Sequence, residues 1–518
     1  MFARVQDDGY RTNHVDTVVV GAGTAGAIVA ARLAQQGERV TLLEAGGPYR
    51  RTLDVPLLGL RTWLRHPERY CWNHQTTPQA ALAGRRVWFP TGRLVGGSAS
   101  INAMIYTRGH PASYDRWGVP GWTYTDLLPY HKRAENFEGG ASAIHGEGGP
   151  LSVSRGRYRS AMLEAFLRAS AEAGIARTDD LNETSAAGAG YYDVVQESGL
   201  RGTPGKSYIA LARRQRGFVL RTNTRATGLV IHQGRVHGVQ VDGATSGTIA
   251  AARVVLCLGV VRTPQLLLRA GIGPARELER LGIRVVADRA AVGVGLQDQV
   301  RLPVAFRHSA VAPARPDRLL VAAAQYAWSR RGLFASNVCD AAAIAALGSD
   351  IPNVRVAFRW RVFPESGLPL VDFEVGLLQP ESRGSIRLRS AEADDAPEID
   401  PAYLTSTSDR ALLHEGVALA RRIAQAPALQ EMGIGAEFAP GTASADSHIE
   451  AHAASAFHPV GTCRFGVDDA AVVDPQLRVR EIDGLYVADA SLIPSCVSAN
   501  AQASVVAIAE KAADVLRQ

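Results

Sequence analysis

Cysteine, lysine and long apolar runs are all scarce in this chain of 518 residues, and each scarcity closes off a class of protein. The five cysteines (Cys71, Cys257, Cys339, Cys463 and Cys496) are odd in number, far apart and free of any C-x-x-C pair. Neither a disulfide framework nor a zinc site is therefore indicated, and no metal ligand set is expected. Cys463, five residues after His458, is the one thiol placed to be reactive, against the simpler reading of a small, semi-buried side chain. Only three of the 56 basic residues are lysines (Lys132, Lys206 and Lys511), a bias that fits a GC-rich genome. The net charge of +6 is dispersed, without basic blocks or interleaved aromatics, which argues against a nucleic-acid partner. No stretch reaches the roughly 18 apolar residues of a membrane span. Met1 to His14 is polar and mixed in charge, so a cytoplasmic location is the expectation.

What is present is an ordinary globular composition, 46% hydrophobic and 20% charged, with no internal repeat. The most informative stretch is Val15 to Gly26, followed by a second strand ending at Glu44. Val18 to Val20 read as a buried strand, and Gly21, Gly23 and Gly26 as a G-x-G-x-x-G turn. Gly21 permits the bend, Gly23 lets the backbone approach a pyrophosphate, and Gly26 allows close packing. A small-residue helix over Ala27 to Gln36 would aim its N-terminal N–H groups at the phosphates. Arg39 to Leu43 follow as a strand, and Glu44 can accept from ribose hydroxyls. These residues state a dinucleotide site and leave NAD and FAD open.

Farther on, Ser160 to Ala173 has helical spacing, and Phe218 to Leu258 alternates as short strands broken at Gln233-Gly234 and Asp242-Gly243. A helix is expected to start at Thr263. Between Val300 and Ser455 the texture changes to strand-like runs at 354–358, 372–378 and 385–389 and a long helix at 409–425. The chain then closes with a strand at 484–488 and a helix from about Ala503 to Leu516.

Several further motifs stand in a fixed order. They include Trp72 to Gln79, Pro90 to Met104 (P-T-G-R-L-V-G-G-S-A-S-I-N-A-M), Thr263 to Leu268 and Gly271-Ile272-Gly273-Pro274. Pro380 to Gly384, His458-Pro459-Val460-Gly461-Thr462 and Val487 to Ser491 complete the set. From about Val15 to Leu516 the chain resembles the glucose–methanol–choline (GMC) oxidoreductase family. The resemblance implies an α/β Rossmann-type FAD-binding domain interleaved with a substrate-binding domain built on an antiparallel or mixed sheet with helices. The expected division gives 14–110, 204–298 and 455–518 to the FAD-binding domain, and 111–203 and 299–454 to the other.

Carried over residue by residue, Gly21, Gly23, Thr24, Ala25 and Gly26 would hold the FAD pyrophosphate, with Glu44 and Ala45 at the adenosine ribose. Leu94, Gly97 and Ser98, and Asn102, Ala103, Met104 and Ile105, would line the flavin and ribitol side. Ala226 matches the adenine contact, Asp489 and Ala490 the ribitol–pyrophosphate contact, and Ala501 with Gln502 the pyrimidine edge. The resemblance makes His458 and Asn500 the catalytic pair. Oxidising an alcohol removes its hydroxyl proton and passes the α-hydrogen to flavin N5 as hydride. A neutral imidazole suits the first task, and a second polar group can hold the developing alkoxide. His110, His145 and His452 read as structural.

Three departures from the family pattern stand out. Ile101 occupies the place where some members carry a flavin-linked histidine, so non-covalent FAD is expected. Gly295-Leu296-Gln297-Asp298-Gln299 differs from the usual N-L-x-D-H, which leaves contacts at the domain junction open. Ser498 to Ala503 lacks the common N-x-N-x-P form. The expected activity is FAD-dependent oxidation of a small or medium alcohol to an aldehyde or ketone, with oxygen or another compound as electron acceptor and a dehydrogenase favoured slightly over an oxidase. A lyase or decarboxylase of the same fold, and a flavin-binding module without turnover, are the alternatives.

Overall fold

The computed structural model describes residues 15–308, 316–360 and 370–517. Two seven-stranded sheets organise the chain. In the first, the strands Phe218–Arg221, Val40–Leu43, Val15–Val20, Gly247–Leu256 and Leu485–Val487 run parallel. The strands Thr224–His232 and Arg235–Gly243 extend it as an antiparallel flap. Its central strands are uninterrupted runs such as Val18-Val19-Val20, as expected when helices cover both faces of a parallel sheet. The covering helices Thr24–Gln35 and Ala501–Val515 are rich in alanine, which lets them pack closely on each other.

The glycine turn is tighter than the sequence reading had it. The helix begins at Thr24 rather than Ala27, so Gly26 already lies in its first turn. Gly21 has φ +102°, a conformation that L side chains rarely adopt, and a Cβ there would stand 2.5 Å from the Cys257 carbonyl oxygen. A Cβ on Gly26 would stand 1.8 Å from the Gly21 carbonyl oxygen, so the close contact is between helix and turn. The second nucleotide-side helix also starts early, at Gly259 rather than Thr263, and holds Pro264 in its interior.

The second sheet is wholly antiparallel. Its order is Ile434–Ala439, Val300–His308, Leu370–Leu377, Val354–Trp360, Ala341–Ala345 and Gly188–Tyr191, with Ala454–Ser455 pairing beside Val300–His308. One face is apolar. Val304, Phe306, Val356, Phe358, Phe373 and Val375 pack against the helices Ala161–Glu172 and Thr407–Gln425. Aromatic contacts fix that core, with Phe166 at 5.6 Å from both Phe358 and Phe373. The other face carries Arg301, Arg355, Arg359 and Glu374. The run expected at 385–389 forms a strand, Gly384–Arg387, but in a separate three-stranded sheet. Among the described residues no helix is long and apolar enough to cross a membrane.

The two glycines of the turn make a paired test. Gly26→Ala should overpack the turn, a change that typically costs about 1–3 kcal/mol, and lower the thermal midpoint by several degrees. Gly23 has φ −73°, and its nearest neighbour to an added Cβ is 3.9 Å away. Gly23→Ala should therefore leave the midpoint of the FAD-free protein unchanged. Scanning calorimetry of both variants checks the contrast.

Candidate active site

A cavity of about 450 Å³ runs between the two sheets, from Glu44 at one end to Phe457 and Arg359 at the other. All the site residues expected from the sequence line it except Gly26 and Leu94. Gly26 lies beneath the turn, against Gly21. Leu94 is buried in a small core with Trp63, Tyr70 and Ile101, so its side chain supports the wall from behind. His110, His145 and His452 do not line the cavity, and Cys463 is fully buried away from it, its thiol pushed up by burial.

The nucleotide half of the cavity presents donors. The helices Thr24–Gln35 and Ala501–Val515 both open on it, and neither has a side-chain cap on its N-terminus. Their first-turn N–H groups lack intrahelical partners and suit an anionic or acceptor-rich group. The backbone of Gly23 faces open space where a side chain would intrude. Glu44 is buried at the end of its strand, where its carboxylate accepts from the N–H groups of Ala22 (3.1 Å) and Gly46 (2.8 Å). Burial pushes this carboxyl up to about 7. Asp489 accepts from the Gly259 and Ser491 N–H groups and from the Thr263 hydroxyl, which pins Ala490 on the cavity wall. Buried Thr91 Oγ1, also on the lining, has no protein partner. Two open helix ends, a side-chain-free glycine turn and an acid at the strand end fit FAD in its extended form.

The other half is built around His458. Its Nδ1 lies 2.8 Å from Gln299 Oε1 and its Nε2 lies 2.9 Å from Asn500 Nδ2. The amide of Gln299 cannot be turned over, because its Nε2 donates to the carbonyls of Leu378, Val497 and Ala499. Gln299 Oε1 is therefore an acceptor, Nδ1 carries the proton, and the unprotonated Nε2 on the cavity lining accepts from Asn500 Nδ2. Asn500 is oriented by the Thr107 hydroxyl, which donates to its Oδ1 at 3.2 Å and leaves Nδ2 to donate to His458. Asn500 occupies the N-cap position of the last helix, yet its side chain caps nothing and is spent here. Burial, with Arg355 nearby, holds the imidazole down to about 3.

Asp298 fixes the loop that carries the histidine. It accepts from the His458 N–H at 3.0 Å and from the hydroxyls of Ser455 and Tyr403. Gln297 accepts from the Cys496 N–H and donates to the Pro380 carbonyl. The Gly295–Gln299 segment, which departs from the family pattern, thus grips the histidine through both backbone and ring. Reading the sequence missed this role, because a departure from a motif carries no sign of what replaces it. It also missed Trp63 and Trp88, which form an aromatic wall with Phe457, and the arginines of the second sheet. Three non-glycine residues of the wall have left-handed backbones, Met104 (φ +59°), Val338 (φ +76°) and Phe457 (φ +66°). For β-branched Val338 this is a strained conformation, and such strain gathers at functional sites.

Family profiles described as GMC oxidoreductase match residues 15–301 and 380–509, and neither covers 302–379. An uncharacterized GMC-type oxidoreductase of Mycobacterium tuberculosis is 36% identical, over 97% of this chain and 99% of its own length. Human mitochondrial choline dehydrogenase is 35% identical, over 96% of this chain and 89% of its own. Among solved structures, pyridoxine 4-oxidase from Mesorbium loti superimposes with a TM-score of 0.86 at 30% identity, covering 96% of this chain and 98% of that one. Since the matched profiles run through the glycine turn at one end and His458 at the other, the chain belongs to the GMC oxidoreductases, a family of FAD-dependent enzymes.

Proposed function

We propose that this protein oxidises an alcohol to the aldehyde or ketone, with His458 as the base that takes the hydroxyl proton and Asn500 as the group that holds the oxygen. The observation that carries this reading is the tautomer forced on His458. Clamped through Nδ1 by Gln299, the ring offers an unprotonated Nε2 beside a fixed amide donor. A substrate oxygen set against both atoms gives its proton to Nε2 while Asn500 Nδ2 stabilises the alkoxide. The chemistry FAD supplies when bound is acceptance of the α-hydrogen as hydride. Gln299 acts through His458 as a positioning residue, and the aromatic wall of Trp63, Trp88 and Phe457 gives the same cavity a flat apolar side.

The remaining finer readings stand on less. The division into an FAD-binding part (14–110, 204–298, 455–518) and a substrate-binding part (111–203, 299–454) is supported by the two sheets, which draw their strands from those segments. A dehydrogenase is favoured over an oxidase only by family habit in bacterial cytosol, and the similar proteins include both a dehydrogenase and an oxidase. The lyase and no-turnover alternatives gain nothing from a pre-set base and donor pair.

Anaerobic rapid mixing with an alcohol and its α-deuterated form tests the pair. His458→Ala should retain FAD and slow flavin reduction by about 10²–10⁴. Asn500→Ala should slow it by about 10²–10³, and the double variant should lose less than the product. Reduction at the parental rate by His458→Ala would remove the mechanism.

Gln299→Glu tests positioning through pH. In the parent the imidazole is held down to about 3, so flavin reduction should show no acid limb in the physiological range. A carboxylate against Nδ1 raises the imidazole, and a raised base is lost as pH falls through it. An acid limb should therefore appear in the variant, at higher pH than in the parent.

Ile101 lines the cavity and offers no nucleophilic nitrogen, so acid precipitation should release all the yellow colour into the supernatant. Colour retained on the polypeptide would show covalent attachment.

A further inference from the structure

The polar face of the second sheet contributes a charge pattern that alcohol oxidation alone does not need. Arg301, Arg355 and Arg359 line the cavity and converge on one carboxylate, Glu374. Glu374 Oε1 lies 3.2 Å from Arg355, and its Oε2 lies 3.2 Å from Arg301 and 3.6 Å from Arg359. Burial would raise the Glu374 carboxyl, but the three guanidiniums outweigh it and hold the group down to about 2. Glu374 is thus ionised and shared by three guanidiniums, which leaves positive charge in excess on the lining among the described residues. Asp372, which also acts on Arg359, does not line the cavity.

The surplus is matched by orphaned donors. Arg355 Nε, the Tyr192 hydroxyl and Asn337 Nδ2 are buried on the lining and make no close hydrogen bond among the described residues, although Tyr192 and Arg355 lie near enough to act on each other. Their residues are 5%, 1% and 2% exposed. Burial pushes the Tyr192 phenol up to about 12, so it remains a donor. Gly376, between Arg301 and Arg355 across the sheet, makes room for the guanidinium, since a Cβ there would come within 3.3 Å of Arg355 Nε. A buried set of unpaired donors with excess positive charge is expensive without an acceptor, and a salt bridge to one shared carboxylate does not satisfy it. The cluster is continuous with the reaction site. Arg301 lies 5.3 Å from the Phe457 ring, which precedes His458, and donates to the Ser455 carbonyl at 2.9 Å.

Deepening the reading above and resting on it, we propose that the substrate is an alcohol bearing an oxyanion, a carboxylate or a phosphate, received by Arg355, Arg359, Tyr192 and Asn337. Guanidinium forks suit such groups in two-pronged geometry. Of these four residues all lie in 302–379 except Tyr192, and that is the segment the family profiles leave uncovered. The wall of Trp63, Trp88 and Phe457 would take an aromatic or other flat body between the alcohol and the oxyanion.

Binding can be read without turnover, from the flavin difference spectrum of the FAD-loaded enzyme and from calorimetry. The probes are benzoate, phenyl phosphate, benzamide and benzyltrimethylammonium. Benzoate or phenyl phosphate should bind roughly ten- to a hundredfold tighter than benzamide, as for one charge-assisted contact, and the cation should bind weakest. The tighter of the two anions identifies the oxyanion. Arg359→Gln, on the more exposed of the guanidiniums, should abolish most of the preference for the anion over benzamide. Tyr192→Phe, which removes a single hydroxyl, should weaken the anion several-fold without changing FAD content. Equal binding of anion and benzamide, or a preference that survives in both variants, would overturn the proposal. The alcohol arm compares 4-(hydroxymethyl)benzoate, 4-(hydroxymethyl)phenyl phosphate and benzyl alcohol by anaerobic flavin reduction, where an oxyanion substrate should have the lower KM. Tight anion binding with no alcohol reducing the flavin would uphold the oxyanion site and sink alcohol oxidation instead. Fast oxidation of benzyl alcohol with no gain from the oxyanion would do the reverse.

Discussion

The candidate active site depends on an amide that cannot rotate. Gln299 has one nitrogen and one oxygen to offer, and three backbone carbonyls claim the nitrogen. The oxygen is left facing His458, and that single constraint fixes which imidazole nitrogen is protonated. From there the polarity runs one way, through Nε2 to Asn500 and from Asn500 to Thr107. Each amide and ring in this chain is held by its neighbour, down to the Thr107 hydroxyl. The carbonyls that clamp Gln299 belong to Leu378, just past an interior strand of the second sheet, and to Val497 and Ala499 before the last helix. The chemistry of one ring is thus tied to the docking of both halves of the molecule.

The second sheet shows how alternation along a strand separates stability from recognition. Val354, Val356 and Phe358 enter a core with Phe166, Phe306 and Phe373, while Arg355, Ala357 and Arg359 look the other way into the cavity. Helices on the apolar face make the sheet rigid enough to keep like charges close together. Without that support the three guanidiniums would separate, because each repels the others and only Glu374 lies between them.

Legibility in the sequence followed the range of the interactions. The glycine turn, its flanking strands and Glu44 lie within thirty consecutive residues, so their geometry could be read from spacing. Nearly every residue carried over from the family motifs does line the cavity, and Gly26 and Leu94 support it from behind. What escaped was long-range or concealed by composition. Val300–His308 contains Pro303, which argues against a central strand, and Ala341–Ala345 has four alanines and only Ile344 as a usual strand former. Arg355 and Arg359 look like ordinary charged positions until antiparallel pairing sets them beside Arg301 and Glu374. Gln299 looked like a lost motif residue, and only three carbonyls distant in sequence show what it does.

The arginines and the histidine also act on each other. Burial, and after it the positive charge of Arg355, disfavours the imidazolium and so keeps Nε2 unprotonated before the substrate enters. The same charge favours an alkoxide over a neutral alcohol, which assists the step that removes the hydroxyl proton. These effects oppose each other once the proton has moved, because the imidazolium then sits among cations. An oxyanion bound at the arginines would relieve that conflict by cancelling charge at the moment the ring becomes positive. On this view the anion is more than a handle. It sets the proton affinity of the base, so a neutral alcohol of the same shape meets a weaker base as well as a looser grip.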